Sequence, residues 1–154
     1  MDEALLRVDR EGRWYFRGQE IIRREVLEVF WRALERDRDG RYFVHLAGER
    51  EPVQVEDTVF IVTWAELKGD RFVIRLNDGS EEVLDLGSFW ISAEGVPYCM
   101  VKGGRFPARF LRLPFYQVAQ YASFDEQLGE YFIELGGRRF VLGRSEESSP
   151  SDPP

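Results

Sequence analysis

The sequence predicts an α+β fold made of two repeated subdomains, each an antiparallel sheet packed with one helix. Three observations lead there. Short apolar runs that alternate with polar residues are bounded by glycine-containing turns, the pattern of antiparallel strands. Two stretches switch from a period of two to a helical period. And the first fifty residues return, in the same element order, in the last sixty: Glu11-Gly12-Arg13-Trp14-Tyr15-Phe16 leads through a helix to Gly40-Arg41-Tyr42-Phe43-Val44, and Glu94-Gly95-Val96-Pro97-Tyr98-Cys99 leads through a second helix to Gly129-Glu130-Tyr131-Phe132-Ile133. The offset grows from 83 at the first tyrosine (Tyr15 to Tyr98) to 89 at the second (Tyr42 to Tyr131), which places six added residues near the second helix.

In the first copy, residues 5–9 and 13–17 read as a hairpin around Arg10-Glu11-Gly12, with glycine supplying a positive φ. Residues 23–36 read as an amphipathic helix. Ile22, Val26, Phe30, Ala33 and Leu34 form its apolar stripe and cover a sheet, while Glu25, Glu28, Arg32 and Glu35 lie opposite. Residues 37–40 end it, and 41–46 form the return strand.

The segment from Val53 to Phe89 has no helical period but carries two strong strands, 59–67 and 71–76. The first is apolar on both faces and is expected to be covered on both. The second puts Phe72, Ile74 and Leu76 inward, with Arg71 and Arg75 outward. In the second copy, 97–101 and 105–110 are strands around Gly103-Gly104, and Pro114 suits the first turn of a helix, where its missing N–H would be unpaired anyway. Phe115, Val118, Ala119 and Ala122 face the core, and 129–135 with 138–142 form a hairpin through Gly136-Gly137. The expected organisation is an N-terminal unit 1–52, central strands 53–92, a C-terminal unit 93–143 and a disordered tail 144–154 with nothing apolar to bury.

Composition narrows the function. A net charge of -7 speaks against the broad basic surface that nucleic acid or anionic lipid requires, so neither nucleic acid nor membrane is an expected partner. No apolar run approaches the ~20 residues that span a bilayer, and Met1-Asp2-Glu3 is acidic where an export signal would be basic, so the cytoplasm is the expected compartment. Cys99 and His45 are the only residues of their kinds, which leaves no intramolecular disulfide and no Cys/His metal cluster. Cys99 sits in an apolar run and reads as packed and inert. His45 stands on a strand where the second copy has Glu134, which suits a polar strand face better than a catalytic base. No catalytic residue, metal or cofactor is expected, and the reading favours binding over catalysis.

The residues most suggestive of binding are cations. Arg71 and Arg75 share one strand face, and Lys102, Arg105 and Arg109 lie on or beside another. If those strands adjoin, the cluster implies either local carboxylate partners or an anionic ligand. The rings of Tyr15, Trp64 and Tyr98 are available to stack on a base.

Val8-Asp9-Arg10-Glu11-Gly12-Arg13-Trp14-Tyr15-Phe16, Val55-Glu56-Asp57-Thr58-Val59-Phe60, Arg75-Leu76-Asn77-Asp78, Val96-Pro97-Tyr98-Cys99-Met100-Val101 and Ala108-Arg109-Phe110 together resemble the bacterial domain of unknown function 1285 family, from about Leu5 to Leu142. Residues 42–52 depart from its usual pattern. The resemblance implies a duplicated α+β unit whose second half has a superficial pleckstrin-homology-like character. It also implies a nucleotide-like ligand between the two halves and a role in bacterial signalling. Asp57, Asn77, Tyr98 and Arg109 are the matched positions suited to such a ligand. The expected function is therefore non-catalytic binding of an anionic nucleotide-like molecule by Asp57, Trp64, Arg75, Asn77, Tyr98, Lys102, Arg105 and Arg109. The alternative is a protein-interaction module without a small ligand.

Overall fold

A computed structural model describes residues 4–144. The expected tail lies outside the described residues, apart from Arg144, which ends the last strand. No helix among those residues is long and apolar enough to cross a membrane. The chain divides into two compact units, Met1–Phe60 and Ile61–Pro154.

The first unit holds β1 (Leu6–Val8), β2 (Trp14–Phe16), β3 (Gln19–Glu20), α1 (Arg24–Ala33), β4 (Leu34–Arg36), β5 (Tyr42–Leu46) and β6 (Glu49–Val55). They form one six-stranded sheet in the order β3-β2-β1-β6-β5-β4. The sheet is mixed, because β1 and β6 run parallel with Leu6 opposite Val53 and Val8 opposite Val55, while every other neighbour is an antiparallel hairpin partner. A parallel pair needs a crossover, and the chain carrying α1 provides it. Val8, Trp14, Val44 and Val53 are buried on this sheet.

α1 is shorter than its periodicity predicts. Residues 34–36 leave the helix for an extended conformation and pair with β5, Leu34 opposite Val44. A buried strand pairing there outweighs a helical pattern. Glu25 in the first turn and Arg32 in the last suit the helix dipole. The expected apolar stripe is only half covered. Phe30 stacks on Trp14 with centroids 5.3 Å apart, but no residue of α1 is fully buried and Ile22, before the helix, is 77% exposed.

The second unit holds β7 (Phe60–Lys68), β8 (Arg71–Leu76), β9 (Glu81–Val83), a single 3-10 turn (Leu86–Ser88), β10 (Trp90–Ile91), β11 (Pro97–Val101), β12 (Phe106–Phe110), α2 (Arg112–Ala119), β13 (Ser123–Asp125), β14 (Glu130–Leu135) and β15 (Arg138–Arg144). One sheet runs β10-β11-β12-β7-β8-β9, and a separate one runs β13-β14-β15. Val59 to Val62 are all buried, but Trp64 is 39% exposed, so the expected cover on both faces holds only for the first half of that strand. Phe72, Ile74 and Leu76 face inward as expected. The large sheet curls until β9 returns to the β11–β12 turn. There the Lys102 backbone N–H donates to the Glu82 carboxylate at 3.1 Å, and Lys102 Nζ donates to Asp78 Oδ2 at 2.7 Å and Ser80 Oγ at 2.9 Å.

The repetition is visible in backbone detail. In the β1–β2 turn the Asp9 N–H donates to Arg13 O, the Gly12 N–H to Asp9 O, and Asp9 Oδ1 accepts the Arg13 N–H. In the β10–β11 turn, 83 residues later, the Ser92 N–H donates to Val96 O, the Gly95 N–H to Ser92 O, and Ser92 Oγ accepts the Val96 N–H. The φ values of 80° at Gly12 and 83° at Gly95 meet the left-handed requirement of this three-residue hairpin loop. β4, β5 and β6 match β13, β14 and β15, and the two-residue turn Ala47-Gly48 matches Gly136-Gly137, all four of these residues having positive φ. The extra residues of the second copy fall earlier than expected. The offset is 88 by the helix starts, Arg24 and Arg112, so most of them lengthen the β11–β12 hairpin.

Candidate functional site

Within the second unit, β11 and β12 alternate strictly. Cys99, Val101, Phe106, Ala108 and Phe110 are buried on one face, leaving Tyr98, Met100, Pro107 and Arg109 half-buried on the other. Antiparallel register sets Trp90 opposite Tyr98 and Tyr98 opposite Arg109, so three strands present one row of indole, phenol and guanidinium. The Trp90 and Tyr98 rings stack with centroids 5.2 Å apart and planes 15° apart. A second row crosses β7, β8 and β9, where Trp64 lies opposite Arg75 and Arg75 opposite Glu81. Arg75 Nε and Nη2 donate to Glu81 Oε2 at 3.2 and 3.0 Å.

The remaining expected residues have structural partners. Lys102, at φ 58°, uses its ammonium on Asp78 and Ser80. Burial pushes the Asp78 carboxyl up, but hydrogen bonds from Lys102 and Ser80 outweigh it and hold the group below its ordinary value. Arg105 Nε donates to Lys102 O at 3.0 Å, and its guanidinium lies 5.2 Å from the Phe106 ring centroid. Asn77 fixes the start of β7: its Oδ1 accepts the Ile61 N–H and its own N–H donates to Ile61 O, both at 2.9 Å. Asp57 belongs to the first unit, where Arg10 Nη1 lies 3.8 Å from its Oδ2. The structure thus brings together Tyr98 with Arg109, Trp64 with Arg75, and Lys102 with Arg105. β8 and β12 do not adjoin, because β7 lies between them. Arg71 and Arg75 each have a local carboxylate, Asp70 at 3.8 Å and Glu81 at 3.0 Å.

Trp90 is the residue the sequence reading missed. The duplication contains its signal, since Trp90 and Tyr98 stand 83 residues after Arg7 and Tyr15, which also face each other across a hairpin, the Arg7 guanidinium 4.3 Å from the Tyr15 ring centroid. A stacked ring in one copy takes the place of a stacked cation in the other.

Neither candidate for covalent or acid–base chemistry is placed for it. Cys99 is buried, and desolvation, reinforced by the charges of Glu82 and Asp85, pushes its thiol far above the ordinary range. His45 Nδ1 lies 3.3 Å from Glu35 Oε2 on an exposed part of the β4–β5 hairpin.

Residues 1–58 match the family model described as "Domain of unknown function (DUF1285), N-terminal domain". The chain is similar in structure to a DUF1285 family protein from Silicibacter pomeroyi DSS-3, with 23% identity, a TM-score of 0.78, and coverage of 94% of this chain and 82% of that one. It is also similar to a DUF1285 family protein from Shewanella baltica OS155, with 18% identity, a TM-score of 0.65, and coverage of 76% and 91%. At these identities the two structures establish the fold. No curated protein matches the sequence.

Proposed function

We propose that this chain, which resembles the DUF1285 family and matches its N-terminal domain over residues 1–58, is a non-catalytic binding protein. Its ligand is a small, anionic, nucleotide-like molecule, and its setting is bacterial signalling. The observation that carries the reading is the row Trp90–Tyr98–Arg109 on the half-open face of β10–β12. A planar base stacks on an aromatic pair already held parallel, which reduces the ordering cost of binding. A guanidinium in the same row adds the positive charge that suits an anionic group. Trp64 and Arg75 repeat the combination on β7 and β8, with Glu81 orienting the arginine.

A thermal-shift series of the full chain with mono-, di- and cyclic nucleotides at millimolar concentration tests it. A ligand present at a hundred times its Kd adds about 2.7 kcal/mol of stability. Arg109→Gln and Tyr98→Ala should each abolish the shift of the best ligand. If no nucleotide raises the midpoint of the wild type, the reading fails. The second reading, a protein-interaction module, draws support from exposed Leu113, Tyr116, Phe124 and Tyr131. It predicts that both variants leave capture of a protein partner unchanged.

A further inference from the structure

The second unit also contains a cavity of about 370 Å³, bordered by Ile91, Phe115, Ala119, Tyr131, Leu142 and Gly143. Among the described residues its lining has no charged side chain, and the Tyr131 phenol is the one polar side-chain group there. These residues come from β10, α2, β14 and β15, all elements of the second copy, so the equivalent place in the first unit can be found position by position. Ile91 corresponds to Val8, because Ile91 faces Pro97 as Val8 faces Trp14. With the offset of 88 between the helix starts, Val118 corresponds to Phe30 and Ala119 to Trp31. Tyr131 corresponds to Tyr42, and Gly143, which faces Tyr131 as Val53 faces Tyr42, corresponds to Val53 across a bulge in β15.

In the first unit that place is filled. The Trp14 indole and the Phe30 phenyl ring stack face to face, their planes 10° apart, and Tyr42 is covered to 9% exposure. In the second unit the Trp14 indole is replaced by the small ring of Pro97, the Phe30 phenyl group by the Val118 side chain and the Trp31 indole by the methyl of Ala119. Phe115 on the same helix does not fill the space, because it leans away to stack on Phe89 with centroids 6.3 Å apart. Tyr131 is left 49% exposed. Gly143 contributes on the floor, since a Cβ there would come 3.2 Å from Ile91 Cδ1 and displace it.

We infer that this cavity is a binding site for an uncharged, predominantly hydrocarbon small molecule, which takes space that opens where the second copy carries smaller side chains than the first. At roughly 30 Å³ per water-sized group, the space holds about a dozen heavy atoms. It lies within the size range of small-molecule sites, and apolar walls with one hydroxyl at the rim suit a ligand with a single polar end. Residues 145–154, which follow the lining strand β15, are serine, glutamate, aspartate and proline, with no large apolar side chain for such a space. A charged ligand would lose its hydration here without gaining an ion pair.

The test uses the full chain and the uncharged fluorophore N-phenyl-1-naphthylamine, with Ala119→Phe, which places a ring in the space from α2, and Ala122→Leu, which fills it from a further lining residue between α2 and β13. The wild type is expected to bind the probe with enhanced fluorescence, and each variant to weaken binding at least about tenfold while its Tm rises by about 2–4 °C. Absence of probe binding by the wild type overturns the inference. So does a lowered Tm in both variants, because the space is then not available, and so does undiminished probe binding in a variant of raised Tm. Arg109→Gln should leave probe binding intact, so this inference and the nucleotide reading stand or fall separately.

Discussion

The two copies share a chain path and differ in what fills it. In the first, a parallel pairing of β1 with β6 joins six strands into one sheet, and two stacked rings complete the core beneath α1. In the second, the matching strands are divided between two sheets, and residues of α2 border a cavity. Turns and element order are set by local chemistry, such as glycine at positive φ and an Asp or Ser that accepts turn N–H groups, so they survive duplication. Core volume is set by pairs of residues far apart in the chain, so it drifts once one member of a pair changes.

The largest effect that sharpens this contrast lies at equivalent positions. Trp14→Ala should cost about 3–5 kcal/mol in urea unfolding, as expected for removing a fully buried aromatic side chain. Pro97→Ala, at the matching site, should cost less than half as much. Equal losses would show that the second copy is packed as tightly as the first.

The next effect concerns the curled sheet of the second unit. Asp78→Asn should cost about 1–3 kcal/mol, because it leaves the Lys102 ammonium without its carboxylate in a half-buried setting. Asp78 has its carboxyl held below the ordinary value, so the stability it contributes is complete above the unfolded value near 3.8 and is lost as pH falls through the folded value. The wild-type urea midpoint should therefore drop as pH is lowered from about 5 to 3, and the drop should be smaller in Asp78→Asn. A parallel acid limb in both proteins would remove this pair from the account.

The smallest effect compares the matched two-residue turns. Ala47 sits at φ 51° and Gly136 at φ 56°. Gly136→Ala should destabilise by about 1 kcal/mol, since the left-handed region is unfavourable for any residue with a Cβ. Ala47→Gly should be neutral or slightly stabilising, and a loss of stability there would mean that the Ala47 side chain has contacts of its own.

Much of this was legible because it is local. Gly12, Gly40, Gly95 and Gly129 mark turns wherever the rest of the chain lies, and the inward alternation of Phe72, Ile74 and Leu76 follows from the pleat. The helix end at Ala33 was not legible, since 34–36 leave it only to pair with β5. The candidate site was half legible. Tyr98 and Arg109 could be named from their residue types, but Trp90 joins them only through strand register.

The amino-acid order alone determined the α+β class, the duplication and the positions of the turns, because each depends on the periodicity or backbone preference of neighbouring residues. Which cations meet carboxylates, which aromatic rings stack, and where one copy leaves a space that the other fills were decided by tertiary structure. Those are distances between residues separated by tens of positions, and only the folded chain brings them within reach.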